Sequence, residues 1–281
     1  MKLVTRSSAR PVVGHVVRSE LVRLRRRSTV VGWAGLTALF AALVCAVVFQ
    51  VVEQTGAAGV SAVPDGPGVS FPDAAQLLSP AGLVAPLASG ASFTGVVTLA
   101  FWALATATDS STGLVRQLVA AEPRRGRLLV GKWLALALVT AATTAVAVVV
   151  TVAVAPVAAA AGGWEPTAWG EDVAGTVLRA GLDLYLSQLV WGSAGLALAV
   201  LTRSAGVAIG VGVGWVLLVE AVLGALSREL GDWLPGAVLG ALAAGGTDRV
   251  GAGTALGLGA LYVAVALSAS LVVFSRRDVT D

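Results

Sequence analysis

The chain has 281 residues, of which 57% are apolar and only 12% charged, with a mean hydropathy of +0.86 and a formal net charge of +3. That composition excludes a soluble domain of ordinary make-up. A single cysteine, Cys45, inside an apolar run and a single histidine, His15, in a basic segment exclude an intrachain disulfide and a clustered His/Cys metal site.

Six apolar runs reach the roughly 20 residues that a helix needs to cross a hydrocarbon core of about 30 Å. They lie near 29–52, 82–108, 130–161, 176–201, 204–226 and 253–275. They leave too little polar chain for a separate soluble domain, so residues 1–281 read as one all-α, polytopic membrane domain. The first run follows 28 mostly polar residues, is too long for the apolar core of a signal peptide and lacks a clear cleavage site, so it is expected to stay as an anchor.

Before the first span, residues 12–27 (VVGHVVRSELVRLRRR) place Val13, Val17, Leu21 and Leu24 on one helical stripe opposite His15, Arg18, Arg25 and Arg26. This predicts an amphipathic helix in the headgroup layer. Glu20 falls within the apolar stripe, which a purely lipid-bound helix disfavours, and a protein partner for it is one remedy.

Residues 53–80 carry Gly, Pro and Asp with no cation, as a translocated loop would. Span two is loaded with hydroxyls, Ser89, Ser92, Thr94, Thr98, Thr106 and Thr108, among Phe93, Val97 and Phe101. Such hydroxyls either bond their own helix backbone or line a solvated pathway. After it, Asp109 or Ser110 is placed to cap a short helix carrying Leu114, Val115, Leu118 and Val119. Pro123 stops that helix, and a basic PRRGR follows. Gly126–Lys132 has the spacing of a phosphate-binding loop, but Trp133 stands where Ser or Thr is required and no strand precedes it. No nucleotide site is expected there, nor does any nucleophile–base or zinc-protease motif occur.

In span four, Arg179 and Asp183 are spaced to neutralise one another. In span five, Gly206, Gly210 and Gly214 form a flat strip suited to close helix packing within or between chains. Glu220, late in that span, has no obvious local partner and is expected to face an interior cavity or the outer vestibule. Residues 227–252 are too short and too broken for another span and read as a re-entrant or interfacial element.

Cations sort by loop. Lys2, Arg6, Arg10, Arg18, Arg23, Arg25, Arg26, Arg27, Arg116, Arg124, Arg125, Arg127, Lys132, Arg203, Arg276 and Arg277 fall on one face, and only Arg179, Arg228 and Arg249 on the other. The rule that positive loops stay inside predicts both termini cytoplasmic and a multi-pass protein of the cell membrane. Topology thus accounts for the basic balance without nucleic acid. Trp33 and Trp133 at inner ends and Trp164, Trp169 and Trp233 at outer ends fit an interfacial belt, whereas Trp102, Trp191 and Trp215 are expected to pack inside.

The order of these parts resembles the membrane subunit of ABC-2 type ABC transporter permeases, six-span proteins that include many bacterial exporters. The resemblance is carried by RSELVRLRRR (18–27), STGLVRQLVAAEPRRGRLLVGKW (111–133), LPGAVL (234–239) and FSRRD (274–278), together with the spacing of spans. It implies an elbow helix at 12–27 and a coupling helix at 110–123 that touches separate cytoplasmic ATPase subunits. Gly113, Arg116, Glu122, Pro123, Arg124 and Arg125, with Glu20, are then the coupling residues. Spans two and five line the translocation path, which puts Phe93, Val97, Phe101 and Glu220 on it, and residues 227–252 cap its outer side. The chain itself is then not an enzyme and binds no cofactor or metal. ATP and magnesium belong to the partner ATPase, and a second permease copy or homologue completes the membrane part. The competing classes are an ion-gradient-driven secondary transporter, which usually carries ionisable residues near the midplane on interrupted helices, and a membrane scaffold that transports nothing.

Overall fold

A computed structural model of the chain describes residues 13–25, 28–59, 71–111 and 125–276. Every regular element among them is helical, and six of the helices are long and apolar enough to cross a membrane. The protein is an all-α, multi-pass membrane protein.

Helix α1 (Val13–Arg25) precedes the first span, α2 (Ser28–Gly59). Three short pieces follow: α3 (Ala74–Leu78), a 3-10 turn (Pro80–Leu83) and α4 (Ala85–Ser89). The second and third spans are α5 (Ala91–Ser111) and α6 (Arg125–Ala161), and the fourth is α7 (Val173–Thr202). The fifth starts as α8 (Ala205–Gly214), passes through a π-helical stretch (Trp215–Glu220) and ends as α9 (Ala221–Leu226). Short helices α10 (Arg228–Asp232) and α11 (Pro235–Ala243) lead to the last span, α12 (Ala252–Arg276).

Span two is shorter than its apolar run. Pro80 and Pro86 open new helical turns and Gly90 ends one, so residues 80–90 fold as two small pieces instead of the start of a long helix. Asp73 begins this region with a reciprocal capping box, accepting from the Gln76 N–H at 2.7 Å while its own N–H reaches Gln76 Oε1 at 3.2 Å. Gly82 cannot carry a side chain, because a Cβ there would run into the Leu77 carbonyl. Residues 74–90 form a packed cap. Leu77, Leu83 and Leu87 are buried against Val48, Phe49 and Val52 of α2 and Trp169, whose indole donates to the Leu77 carbonyl at 2.8 Å.

The core is built around α7, which packs on α5, α6, α8, α11 and α12, while α2 lies chiefly on α6. The α5–α7 seam is close because glycines and tryptophans are interleaved. A Cβ on Gly95 would enter the Trp191 ring, one on Gly192 the Trp102 ring, and one on Gly195 the Leu99 backbone. Gln188 fastens the seam. Thr98 Oγ1 donates to its Oε1 at 2.6 Å, and its Nε2 donates to Thr94 Oγ1 at 2.8 Å and the Ala91 carbonyl at 3.3 Å. A buried amide satisfied on both sides aligns helices in a bilayer, where apolar burial alone does not discriminate partners. Trp102 Nε1 similarly donates to Thr140 Oγ1 at 3.0 Å, and Trp133 Nε1 to Ser193 Oγ at 2.8 Å.

Connections gather at two ends. One collects the 74–90 cap, Trp169 and the end of α11. The other collects α1, Leu129 and, from α12, Leu271. The described helices that border the arginine-rich stretches, α1, the start of α6 and the end of α12, thus pack together at this arginine-rich end. The tryptophan belt is only partly realised. Trp33 is buried and stacked on Phe101 with ring centroids 4.1 Å apart, and Trp169 is buried, so both pack inside. Trp215, expected inside, is exposed, as is Trp233.

Candidate functional site

At 37 residues α6 is about 55 Å long, well beyond the hydrocarbon thickness, and its surplus at the arginine-rich end carries Arg125, Arg127 and Lys132. Helix α1 docks on that extension. Val16 packs where Gly131 has no side chain, Leu24 is buried, and Val17 and Leu21 pack against the same cluster. The amphipathic stripe thus lies on the protein. Its opposite side, with Arg18 and Val22, is exposed.

Docking carries Glu20 inward, and its partners lie within the chain. Glu20 bonds Arg23 one turn on and lies 4.0 Å from Lys132 Nζ of α6. Lys132 in turn bonds Asp109 at the end of α5, and Arg23 Nη1 lies 4.0 Å from Asp109 Oδ2. Among the described residues, two carboxylates and two cations from three elements thereby form a buried quartet in which Glu20 is 5% and Asp109 5% exposed. Desolvated charges persist only when compensated, and each of these faces an opposite one.

Asp109, near the end of α5, turns its carboxylate to Lys132, and the short helix that it or Ser110 was expected to cap lies outside the described residues. The segment with phosphate-loop spacing, Gly126–Lys132, lies wholly within α6, with the Lys132 amine turned to Asp109. Sequence reasoning singled out Glu20 of this quartet but not Arg23, Asp109 or Lys132. The available signal was one acidic and one basic residue at the two span ends that flank residues 112–124. Gly113, Arg116, Glu122, Pro123 and Arg124 lie outside the described residues, as does the coupling helix itself. Arg125 is the first residue of α6.

The residues expected on a path are dispersed. Phe93 is 45% exposed on the bundle's periphery and stacks on Phe40 at 6.3 Å. Val97 and Phe101 pack in the core beneath Trp33. The hydroxyls of span two largely bond helix backbone or neighbours: Ser89 to Ala85, Thr108 to Leu104, and Thr94 and Thr98 within the Gln188 lock. Glu220 is half-buried. Its two oxygens accept from the Gly236 N–H at 2.9 and 3.0 Å, and Oε1 from Trp215 Nε1 at 2.9 Å. Asp183 has Arg179 as an electrostatic neighbour without a direct ion pair.

Among the described residues, the glycine strip of span five finds no partner. Gly210 and Gly214 have nothing within 4 Å of an added Cβ, and Gly206 only Ser204 Oγ at 4.0 Å. Gly212, on the other side of the same helix, is the one held against Leu99. Residues 227–252, expected as a re-entrant or interfacial segment, include α11, buried through Val238, Leu239 and Leu242 and tied to α7 by Ser187 Oγ donating to the Leu239 carbonyl at 2.9 Å. Among the described residues no three His, Cys, Asp or Glu side chains are grouped to hold a metal.

No protein-family model matches the chain, and no curated protein matches it. Among the described residues the geometry offers one buried charged junction, which joins α1, α5 and α6 next in sequence to residues 112–124.

Proposed function

We propose that this chain is the membrane-spanning subunit of an ATP-driven exporter of the ABC-2 permease type. Its arginine-rich end and both termini face the cytoplasm, and it works with separate ATPase subunits and a second permease chain. The observation that carries the reading is the quartet. Residues 112–124 leave from beside Asp109 and return ahead of Lys132, and the same two side chains grip α1 through Glu20 and Arg23. A push on that segment is thus delivered to three helices at once, as a subunit that transmits work from a partner requires. A scaffold role gives no reason for bracing that segment with buried charge.

Under this reading, ATP binding draws the ATPases together, and their motion, received at Gly113, Arg116, Glu122, Pro123, Arg124 and Arg125, tilts α5 and α6 with α1 as one body. Charge reversal of Arg124 and Arg125 is expected to abolish transport and the stimulation of partner ATP hydrolysis while membrane insertion stays intact. Unchanged transport with unchanged stimulation rejects the role.

A further inference from the structure

Span five is interrupted by a π-helical stretch that ends on Glu220. Such bulges hold a side chain where an α-helix would not present it, and they recur at functional positions. Here the displaced side chain is a carboxylate aimed at the first turn of α11. Its two oxygens share the Gly236 N–H, and a Cβ on residue 236 would occupy the place of Oε2. Trp215, at the start of the same π stretch, donates to Oε1. The carboxylate therefore does two things: it closes the π stretch on itself and, as an anion, it satisfies an otherwise unbonded N–H at the positive end of α11.

We propose that Glu220 is a proton-operated latch that holds α11 against span five at the acid-rich end of the bundle. Uptake of one proton from solution converts the carboxylate to a neutral acid. Protonation at Oε2 removes one of the two acceptors of the Gly236 N–H and leaves Oε1 to serve Gly236 and Trp215 as a neutral, weaker acceptor, the charge attraction to the helix N-terminus is lost, and the hold of the π stretch on α11 loosens. The surroundings favour this response. Tyr262 of α12 is an electrostatic neighbour of Glu220, and its hydroxyl donates to the Trp233 carbonyl at 3.5 Å. α11 itself has no ionisable side chain. On α10, Glu229 is exposed and Asp232 is paired with Arg249 at 3.2 Å, while the Arg228 side chain lies outside the described residues. Among the described groups no cation pairs with Glu220 in place of α11.

The inference stands apart from the identity of any ATPase. It is tested by hydrogen exchange on the full-length protein in lipid nanodiscs, comparing residues 235–243 with α7 as internal reference. After correction for the intrinsic chemical rate, exchange in α11 should accelerate about tenfold relative to α7 as the pH is lowered. Glu220→Gln should exchange fast throughout and lose the pH step. Gly236→Ala, which evicts the carboxylate but keeps it, should do the same. A wild-type α11 with no pH step, or a Glu220→Gln variant that keeps both slow exchange and the step, overturns the latch. If either variant fails to fold, the wild-type profile alone decides.

Discussion

Lys132→Met is expected to destabilise the protein by about 3–5 kcal/mol, because it leaves Glu20 and Asp109 buried with Arg23 as their described cation. The magnitude follows from burial. An exposed pair of the same residues would be worth about 1 kcal/mol or less, since water screens what the partner supplies. Here both carboxylates are nearly sealed and Lys132 as a residue is 9% exposed, so an orphaned charge has little water to turn to. Thermal unfolding of the purified chain in detergent reads the loss as a large drop in Tm. The double variant Asp109→Leu with Lys132→Met removes one charge of each sign and should recover a substantial part of it, because Glu20 and Arg23 remain paired. If the single variant is as stable as wild type, or the double variant is worse than the single, the quartet does not hold the junction. Loosening of α1 should accompany the single variant, seen as faster proteolysis ahead of α2 with the spans still protected.

Gly195→Val should be at least as damaging, for a different reason. The position faces the backbone of Leu99, which has no rotamer to yield, so even one added carbon forces α5 and α7 apart. Separation also strips the Gln188 amide of Thr94 and Thr98 and lifts the Trp102 and Trp191 rings from Gly192 and Gly95. Overpacking commonly costs about 1–3 kcal/mol, and loss of these hydrogen bonds adds to it. The matched control is Gly210→Ala, which meets nothing within 4 Å and should change stability by about 0.5 kcal/mol or less. Parallel melting curves in detergent check both. Equal tolerance of the two substitutions would mean that α5 and α7 are not packed as described.

The contrast between those glycines shows where reading a sequence stops. Gly206, Gly210 and Gly214 were conspicuous because they recur every fourth residue, yet in the isolated chain they face outward. The glycines that bring helices together, Gly95, Gly192 and Gly195, follow no such repeat, because each is dictated by the ring or carbonyl opposite it. Spans were legible for the opposite reason: a bilayer imposes a length of apolar helix that any window of residues reports. The beginning of span two was not, since hydropathy averages across Pro80, Pro86 and Gly90 while backbone geometry does not. Trp33 and Trp169 were assigned to the interface from their depth alone, but packing against Phe101 and Leu77 is decided by distant parts of the chain. Glu20 announced itself as a carboxylate on an apolar stripe. Its partners could not be named, because Asp109 and Lys132 reach it only once α5 and α6 stand side by side.

The same limit applies to Glu220. An acid near the end of a span suggested a cavity, and the structure instead gives it the first turn of α11. Only the π register aims it there, and no periodicity in the sequence marks a π turn.

The most direct measurement is purification of the tagged full-length chain from its own membranes in mild detergent, followed by assay of ATP hydrolysis and identification of the co-purifying subunits. The account predicts a stoichiometric ATPase whose activity leaves the preparation when it is stripped away, with the remaining chain inert toward nucleotide. A chain that hydrolyses ATP unaided, or one that transports at full rate with no ATPase present, would contradict it.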